Sequence, residues 1–410
     1  MRRPFFTLLA ANAVSATGNV LSMLAVPWFT LETTGSAALT GMAAFASTLP
    51  IVISAAFGGT LVDLIGFHRV SVLSDVASGL IVIAIPALFL TTGLSFPVLL
   101  ALVFVRWLTA TPGETARKAM VPDLAELGRV QIERATAAYD GVNRGARMVG
   151  APLAGVLILW LGPTALLFVD GSTFLLSALL IGTGVPQVTH AGAPRESGGY
   201  LRDLGDGLAF LWRDRVQLTG TAMIVVTNML DTGVTQVLLA LYARDVVHDP
   251  RAFGLLAGGV GAGAVIGTIV YGAVGERLPR RLTFGLCFLV AGVPRILVLA
   301  LGAPFPLALG VTVLSGFAAG AINPLLGVLQ FERIPTQVRA RVLGTMTAAA
   351  YAAMPLGGLL AGSLTELTGL TVTLFAFTAV YFAASFPPFV SRAWRGLDEP
   401  SRAGAPTQAG

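Results

Sequence analysis

Asp231 stands near the middle of an apolar run covering 217–243, with Asn228 one helical turn before it. An ionised side chain at the centre of a bilayer costs about 2.5–3.5 kcal/mol on insertion scales, so its presence marks a function by default. Two chemistries suit a carboxylate there: taking up and releasing a proton, or pairing with an incoming cation. A structural bond to a neighbouring helix is the alternative. Arg106 lies ten residues into another apolar run, 96–116, too deep to snorkel to either surface. It needs an acceptor, an anionic ligand, or the free carbonyls of a broken helix. Asp231 and Arg106 are therefore the expected proton-coupling residues. With Asn19, Asn228 and Ser15 they are expected to line a polar cavity.

The remaining in-span polar residues read as structural. Arg295 is placed to snorkel toward the outer surface. Asp75, Asp140 and Asp170 fall within two turns of a span end, and Asp140 with Arg144 has the i, i+4 spacing of an ion pair. Glu32 closes a span, and Asn12 and Asn323 suit helix–helix hydrogen bonds. Nothing supports catalysis, a metal or a cofactor. His68, His190 and His248 fall in predicted loops, and Cys287 is the only cysteine. The sole lysine, Lys118, lacks the GxxxxGK context of a phosphate-binding loop. An ATP-driven pump within this chain is thereby excluded.

These residues need membrane-spanning helices to position them. Of 410 residues, 55% are hydrophobic and only 11% are charged, and the mean hydropathy is +0.80. A soluble domain carries roughly 25% charge, so this chain has too little polar surface to coat a water-soluble globule. Apolar runs of about 20 residues argue for helices rather than for the ~10-residue alternating segments of a barrel. The spans are expected at 5–31, 38–61, 70–92, 96–116, 136–160, 164–186, 217–243, 252–274, 283–302, 305–328, 342–364 and 371–391. The start resembles a signal peptide but runs on without a small-residue cleavage site, and it reads as an uncleaved first span.

Arginines sort to one side. With the N-terminus inside, only Arg244 and Arg251 fall in outer loops. That asymmetry satisfies the positive-inside rule and puts both termini in the cytoplasm of a cell inner membrane. The net charge of +5 is accounted for by topology, with no nucleic-acid partner. The expected domains are a six-helix bundle at 1–186, a linker at 187–216, a second six-helix bundle at 217–391, and a tail at 392–410. Leu201, Leu204, Leu208 and Leu211 have helical spacing, so the linker is expected to carry an amphipathic helix on the inner membrane face.

The two bundles are copies. Gly59 and Asp63 after the second span recur 213 residues later as Gly272 and Glu276, and Val121-Pro122 recurs as Ile334-Pro335 at the same offset. Pro152-Leu-Ala-Gly155 matches Pro355-Leu-Gly-Gly358 at an offset of 203. Three matches in one order imply duplication in parallel orientation, a recognised transporter plan. The fold class is an all-α membrane protein of twelve transmembrane helices in two pseudo-symmetric six-helix bundles. Under the 213 offset, Asp231 and Asn228 align with Gly18 and Ser15. Gly258, Gly259, Gly261, Gly263 and Gly267 crowd the eighth span, as close helix packing requires.

The motif Gly59-xxx-Asp63-xx-Gly66-xx-Arg69, with its degenerate copy Gly272-xxx-Glu276-Arg277, resembles the cytoplasmic loop motif of the major facilitator superfamily. Leu64 stands where that motif carries a basic residue. Arg106 resembles the family's span-four arginine, and Gly150-Ala-Pro152-Leu-Ala-Gly155 its span-five antiporter element. The stretches 117–134 and Phe168-Val-Asp170-Gly-Ser-Thr-Phe174 resemble the bacterial branch of macrolide and siderophore exporters. The resemblance implies that Asp63 latches the halves together on the cytoplasmic side, where a plain surface turn is the alternative. It also implies gating by Gly59, Asp63, Gly66, Arg69, Gly272, Glu276, Arg277, Pro152 and Gly155. The implied activity is proton-coupled efflux of a hydrophobic or amphipathic small molecule by a monomer. Uptake of a small metabolite is the alternative, and a non-transporting sensor or scaffold a further one.

Overall fold

The structure, a computed structural model, describes residues 3–187, 200–335, 338–391 and 393–394. The side chains of 55–64, 200–204, 276 and 340 lie outside the described set. Among the described residues every regular element is helical. Lipid offers no partner to backbone amides and carbonyls, so a spanning segment must satisfy them within itself.

Among the described residues, eleven helical stretches are long and apolar enough to cross a bilayer. One of them, Ile132–Gly184, runs 53 residues and breaks at Gly162, whose φ of 76° and ψ of 162° are not helical. It supplies spans five and six, which makes twelve crossings. Span one is Arg3–Thr34, span two Ala37–Ile65, span three Phe67–Thr91 and span four Phe96–Ala119. Span seven is Arg215–Val247, span eight Pro250–Val274, span nine Arg280–Ala300, span ten Phe305–Arg333, span eleven Arg341–Thr368 and span twelve Leu370–Val390. The expected division between spans three and four falls at Gly93.

The duplication is written in the turns. On the face opposite the termini, the turns after spans one, three and five hold Gly35, Gly93 and Gly162 at positive φ. Their counterparts after spans seven, nine and eleven are His248, Gly302 and Gly369, also at positive φ. His248 is the one non-glycine there. It adopts the left-handed conformation, with its Nδ1 2.8 Å from the Arg244 carbonyl. The offset between paired turns falls from 213 to 209 to 207 along the chain.

That drift corrects one expected alignment. Gly155 of span five lies against Gly254 of span eight, where an added Cβ would come within 3.1 Å of the Gly254 Cα. Gly362 of span eleven lies against Gly41 of span two, with an added Cβ 2.9 Å from the Gly41 Cα. Gly155 therefore corresponds to Gly362, one helical turn beyond the Gly358 that the text match selected. Pro-Leu-x-Gly recurs in the letters, but packing conserves the glycine that admits the opposite half.

Among the described residues, the two halves share one core only at the distal face, away from the termini. There, Leu24, Trp28 and Phe29 of span one join Leu238, Tyr242 and Phe253 of spans seven and eight. Toward the terminal face each half closes its own core: Phe5, Leu8, Val121 and Tyr139 in the first, Phe284, Phe288, Leu325 and Trp394 in the second. Among the described residues the halves are joined at one end and parted at the other. Trp394 anchors the start of the tail, its Nε1 donating to Thr219 at 2.9 Å.

The linker helix, Tyr200–Arg213, docks on the terminal end of span eleven through Leu211, which is buried with Val342 and Met346. Arg341 bonds Asp206 at 3.1 Å. Leu208 and Trp212 remain exposed, as an interfacial helix requires. Leu201 and Leu204 lie outside the described side chains.

Candidate substrate cleft and its charged centres

Each half holds a charged centre where the halves part. In the first half, Arg106 is 2% exposed, and its guanidinium lies 4.0 Å from the Trp107 ring centroid and 4.8 Å from that of Phe174. Its Nη2 donates to Asn19 Oδ1 at 2.6 Å, and Asn19 Nδ2 donates to Glu114 Oε1 at 2.5 Å. A polar chain thus joins span four to span one and back. Glu114 is exposed, although it sits within a span. On span four it lies opposite Val105, nine residues earlier, which together with Val98 and Ala101 forms the exposed apolar stripe. Glu114 therefore faces the cleft and not lipid.

Behind Arg106 stands Asp170 of span six, fully buried. Its Oδ2 accepts from the Ser22 hydroxyl, while its Oδ1 has no hydrogen-bond partner. Gly18 makes room for it: an added Cβ there would sit 3.0 Å from Asp170 Oδ1.

The second half places its acid on a different helix. Asp231 stands at the position corresponding to Gly18 and bonds Arg295 of span nine. The Asp231 side chain is 38% accessible and that of Arg295 only 7%. A π-helical turn, Val234–Leu238, begins three residues after Asp231. Such turns recur at functional sites because they rotate the helix beyond them. Arg295 was expected to snorkel; it is instead drawn inward, because Asp231 supplies a counter-charge that the lipid cannot.

A third centre is closed. Asp75 of span three accepts from Arg117 Nη1 at 2.9 Å, from Ser177 at 2.6 Å and from Ser15 at 3.2 Å. Arg117, expected in a loop, is 1% exposed within span four. Ser15, expected in the cavity, is turned into the first bundle as one of these ligands. The structural reading of Asp75 agrees with this arrangement.

Other expected residues disperse. Asn228 donates to the Ala350 carbonyl at 3.3 Å, tying span seven to span eleven. Asn12 bonds Asn143 as expected, but Asn323 is exposed. Asp140 and Arg144 are both exposed and do not form the expected ion pair. Of the gating set, Pro152 and Gly155 pack against Gly258 and Gly254 across the halves. Gly66, Arg69, Gly272 and Arg277 lie exposed on the parted terminal face. Gly59, Asp63 and Glu276 lie outside the described side chains, and so does the expected latch. His68 begins span three, with its Nε2 3.2 Å from the Ile181 carbonyl, and His190 lies outside the described residues. No group of ligands for a metal ion occurs among the described residues.

The distal closure has polar fastenings. The Glu366 carboxylate of span eleven accepts from Ser36 Oγ at 3.1 Å and from the Ala38 amide at 3.2 Å, capping span two of the other half. Arg244 Nη1 donates to the Leu31 carbonyl at 3.1 Å, and Trp28 stacks on Phe253 at 6.0 Å. Sequence reading passed over Glu114 and Glu366. The available signal for Glu114 was a carboxylate inside an apolar run, eight residues from Arg106.

The chain matches the family described as transmembrane secretion effectors over residues 1–399. It is 31% identical to the multidrug efflux pump Tap of Mycobacterium tuberculosis over 381 residues, 92% of this chain and 90% of Tap. Among solved structures it is similar to a mutant of the nucleoside transporter NupG, with TM-score 0.80, 12% identity and 94% and 98% of the two chains covered. It is also similar to a bacterial homologue of the iron transporter ferroportin in an inward-facing state, with TM-score 0.70, 16% identity and 97% and 99% coverage. At these identities the solved structures establish the fold alone.

Proposed function

The chain belongs to the transmembrane secretion effector family of the major facilitator superfamily, and from that premise we propose that it exports a hydrophobic or amphipathic small molecule in exchange for protons. The superfamily comprises transporters and not enzymes, so the in-span charges serve binding and coupling. One observation carries the reading. The halves share a core at the distal face and are parted at the terminal face, with accessible Asp231 and Glu114 where they part. Alternating access needs two closures that exclude each other, and one of them is present.

The arginine-rich terminal face is the cytoplasmic one, so this is the inward-open state of a cytoplasmic-membrane protein. Arg106 and Asp231 are the coupling residues of the two halves. Each is held by a partner that a proton or substrate can displace. Similarity to a multidrug efflux pump supports export over uptake.

The test compares drug susceptibility of cells with and without the chain, with and without a protonophore. The chain is expected to raise tolerance to several lipophilic compounds, and the protonophore to abolish the difference. No effect across a broad panel, or inward counterflow when the pH gradient is reversed, would overturn export.

A further inference from the structure

Among the described residues, the first half has a charge imbalance that its neighbours do not remove. Asp75 and Arg117 neutralise each other, as do Asp231 and Arg295. That leaves Glu114 and Asp170 sharing Arg106: two carboxylates and one guanidinium. Around them, spans one and six add neutral Asn19, Ser22 and Thr173. The titratable and charged residues carried by span five include Tyr139, Asp140, Arg144 and Arg147, and Lys118 follows Glu114 by one turn on span four. None of these forms an ion pair with Glu114 or Asp170.

The bonding of Arg106 is also incomplete. Nη2 is bound to Asn19, but Nε and Nη1 make no hydrogen bond. Asp170 Oδ1, behind it, is equally unpartnered. Phe174, on which the guanidinium stacks, is one turn from Asp170 on span six. Buried groups with unused hydrogen-bonding capacity are rare and point to a state in which that capacity is used. Arg106 has two positions available: forward to Asn19 and Glu114, or back to Asp170.

We propose that this trio is an exchange site, in which Glu114 takes the cationic end of an amphiphile, Asp170 takes a proton, and Arg106 neutralises whichever carboxylate is left empty. Access divides the roles. Glu114 faces the open cleft and can meet a bulky ligand. Asp170 is fully buried behind side chains, where only a proton fits. With a cation on Glu114, Arg106 turns its free N–H groups to Asp170, which gives up its proton. With a proton on Asp170, Arg106 returns to Asn19 and Glu114, and the cation leaves. A site of net charge −1 thus holds one proton or one monovalent cation, never neither, and exchanges them one for one. The present arrangement is the proton-loaded one.

The proposal deepens the export reading by naming the substrate class and the proton site, but its test is an equilibrium one without direction. Purified full-length chain is titrated with tetraphenylphosphonium, a permanently charged lipophilic cation, in weakly buffered detergent solution with a pH indicator. The wild-type chain is expected to release about one proton per cation bound and to bind less tightly as pH falls. Glu114→Gln is expected to weaken tetraphenylphosphonium binding at least tenfold, measured on protein whose melting temperature in detergent shows it folded. Asp170→Asn is expected to bind without proton release. Failure of the wild-type chain to bind the cation, or binding without proton release, overturns the proposal with no variant needed. So does wild-type affinity in Glu114→Gln, or undiminished release in Asp170→Asn. Susceptibility results contradicting export would leave these outcomes unaltered.

Discussion

Replacing Gly254 with alanine tests whether the distal closure is a real alternative state. A Cβ at Gly254 would lie 2.8 Å from the Gly155 amide nitrogen and 2.9 Å from its Cα, and would meet the Ala151 carbonyl oxygen more closely still. Ordinary carbon contacts begin near ~3.5 Å, so the shortfall is roughly 0.6 Å or more. The opposing atoms are backbone, which cannot rotate away, and only separation of spans five and eight relieves the overlap. Overpacking of this kind costs about 1–3 kcal/mol. The cost falls on the distally closed state alone, because Gly254 and Gly155 part when the halves open on that side. The equilibrium should move toward the distally open state by roughly 5- to 150-fold. Spin labels on Thr92→Cys and Leu301→Cys, both in exposed distal turns of different halves, would report it in a Cys287→Ala background. Pulsed dipolar spectroscopy should show a longer-distance population growing in Gly254→Ala. An unchanged distance distribution in a folded variant would refute the rocking of the halves about this contact.

Three further outcomes are expected. Asp231→Asn leaves Arg295 buried without its counter-charge and should cost about 3 kcal/mol, the low end for a broken buried pair because Asp231 is partly accessible; adding Arg295→Gln should restore the melting temperature in detergent but not proton-coupled transport. Arg117→Gln breaks a pair inaccessible on both sides and should cost about 3–5 kcal/mol in thermal unfolding. Glu366→Ala removes a cap shared between halves and should shift the same spin-label distances toward distal opening, in the same direction as Gly254→Ala but by less, because Glu366 is exposed.

The candidate site was only partly legible in the text. Asp231 and Arg106 stood out because an ion in an apolar run is costly wherever the helix points. Their partners were not legible. Arg295 was assigned to the outer surface because position along the span was known and rotation about it was not. Ser15 illustrates the same gap: its level in span one is that of a cavity residue, but its direction is into the bundle. Glu114 was passed over for want of the helical phase that sets it opposite Val98, Ala101 and Val105.

Composition and the length of apolar runs determined, without any coordinates, that the chain spans a membrane as two sets of six helices. That conclusion is local: each span must close its own backbone hydrogen bonds in lipid, and the letters within twenty residues decide it. The duplication was equally readable, although matching letters misplaced span eleven by one turn. What tertiary structure alone decided is which charges meet and which face is shut. Asp75 and Arg117 are 42 residues apart, Asp231 and Arg295 are 64 apart, and Asn19 and Glu114 are 95 apart. Such pairings depend on the rotation and lateral order of packed helices. Glycine against glycine at Gly155, Gly254, Gly41 and Gly362 sets both, because close approach is possible only where no Cβ intervenes.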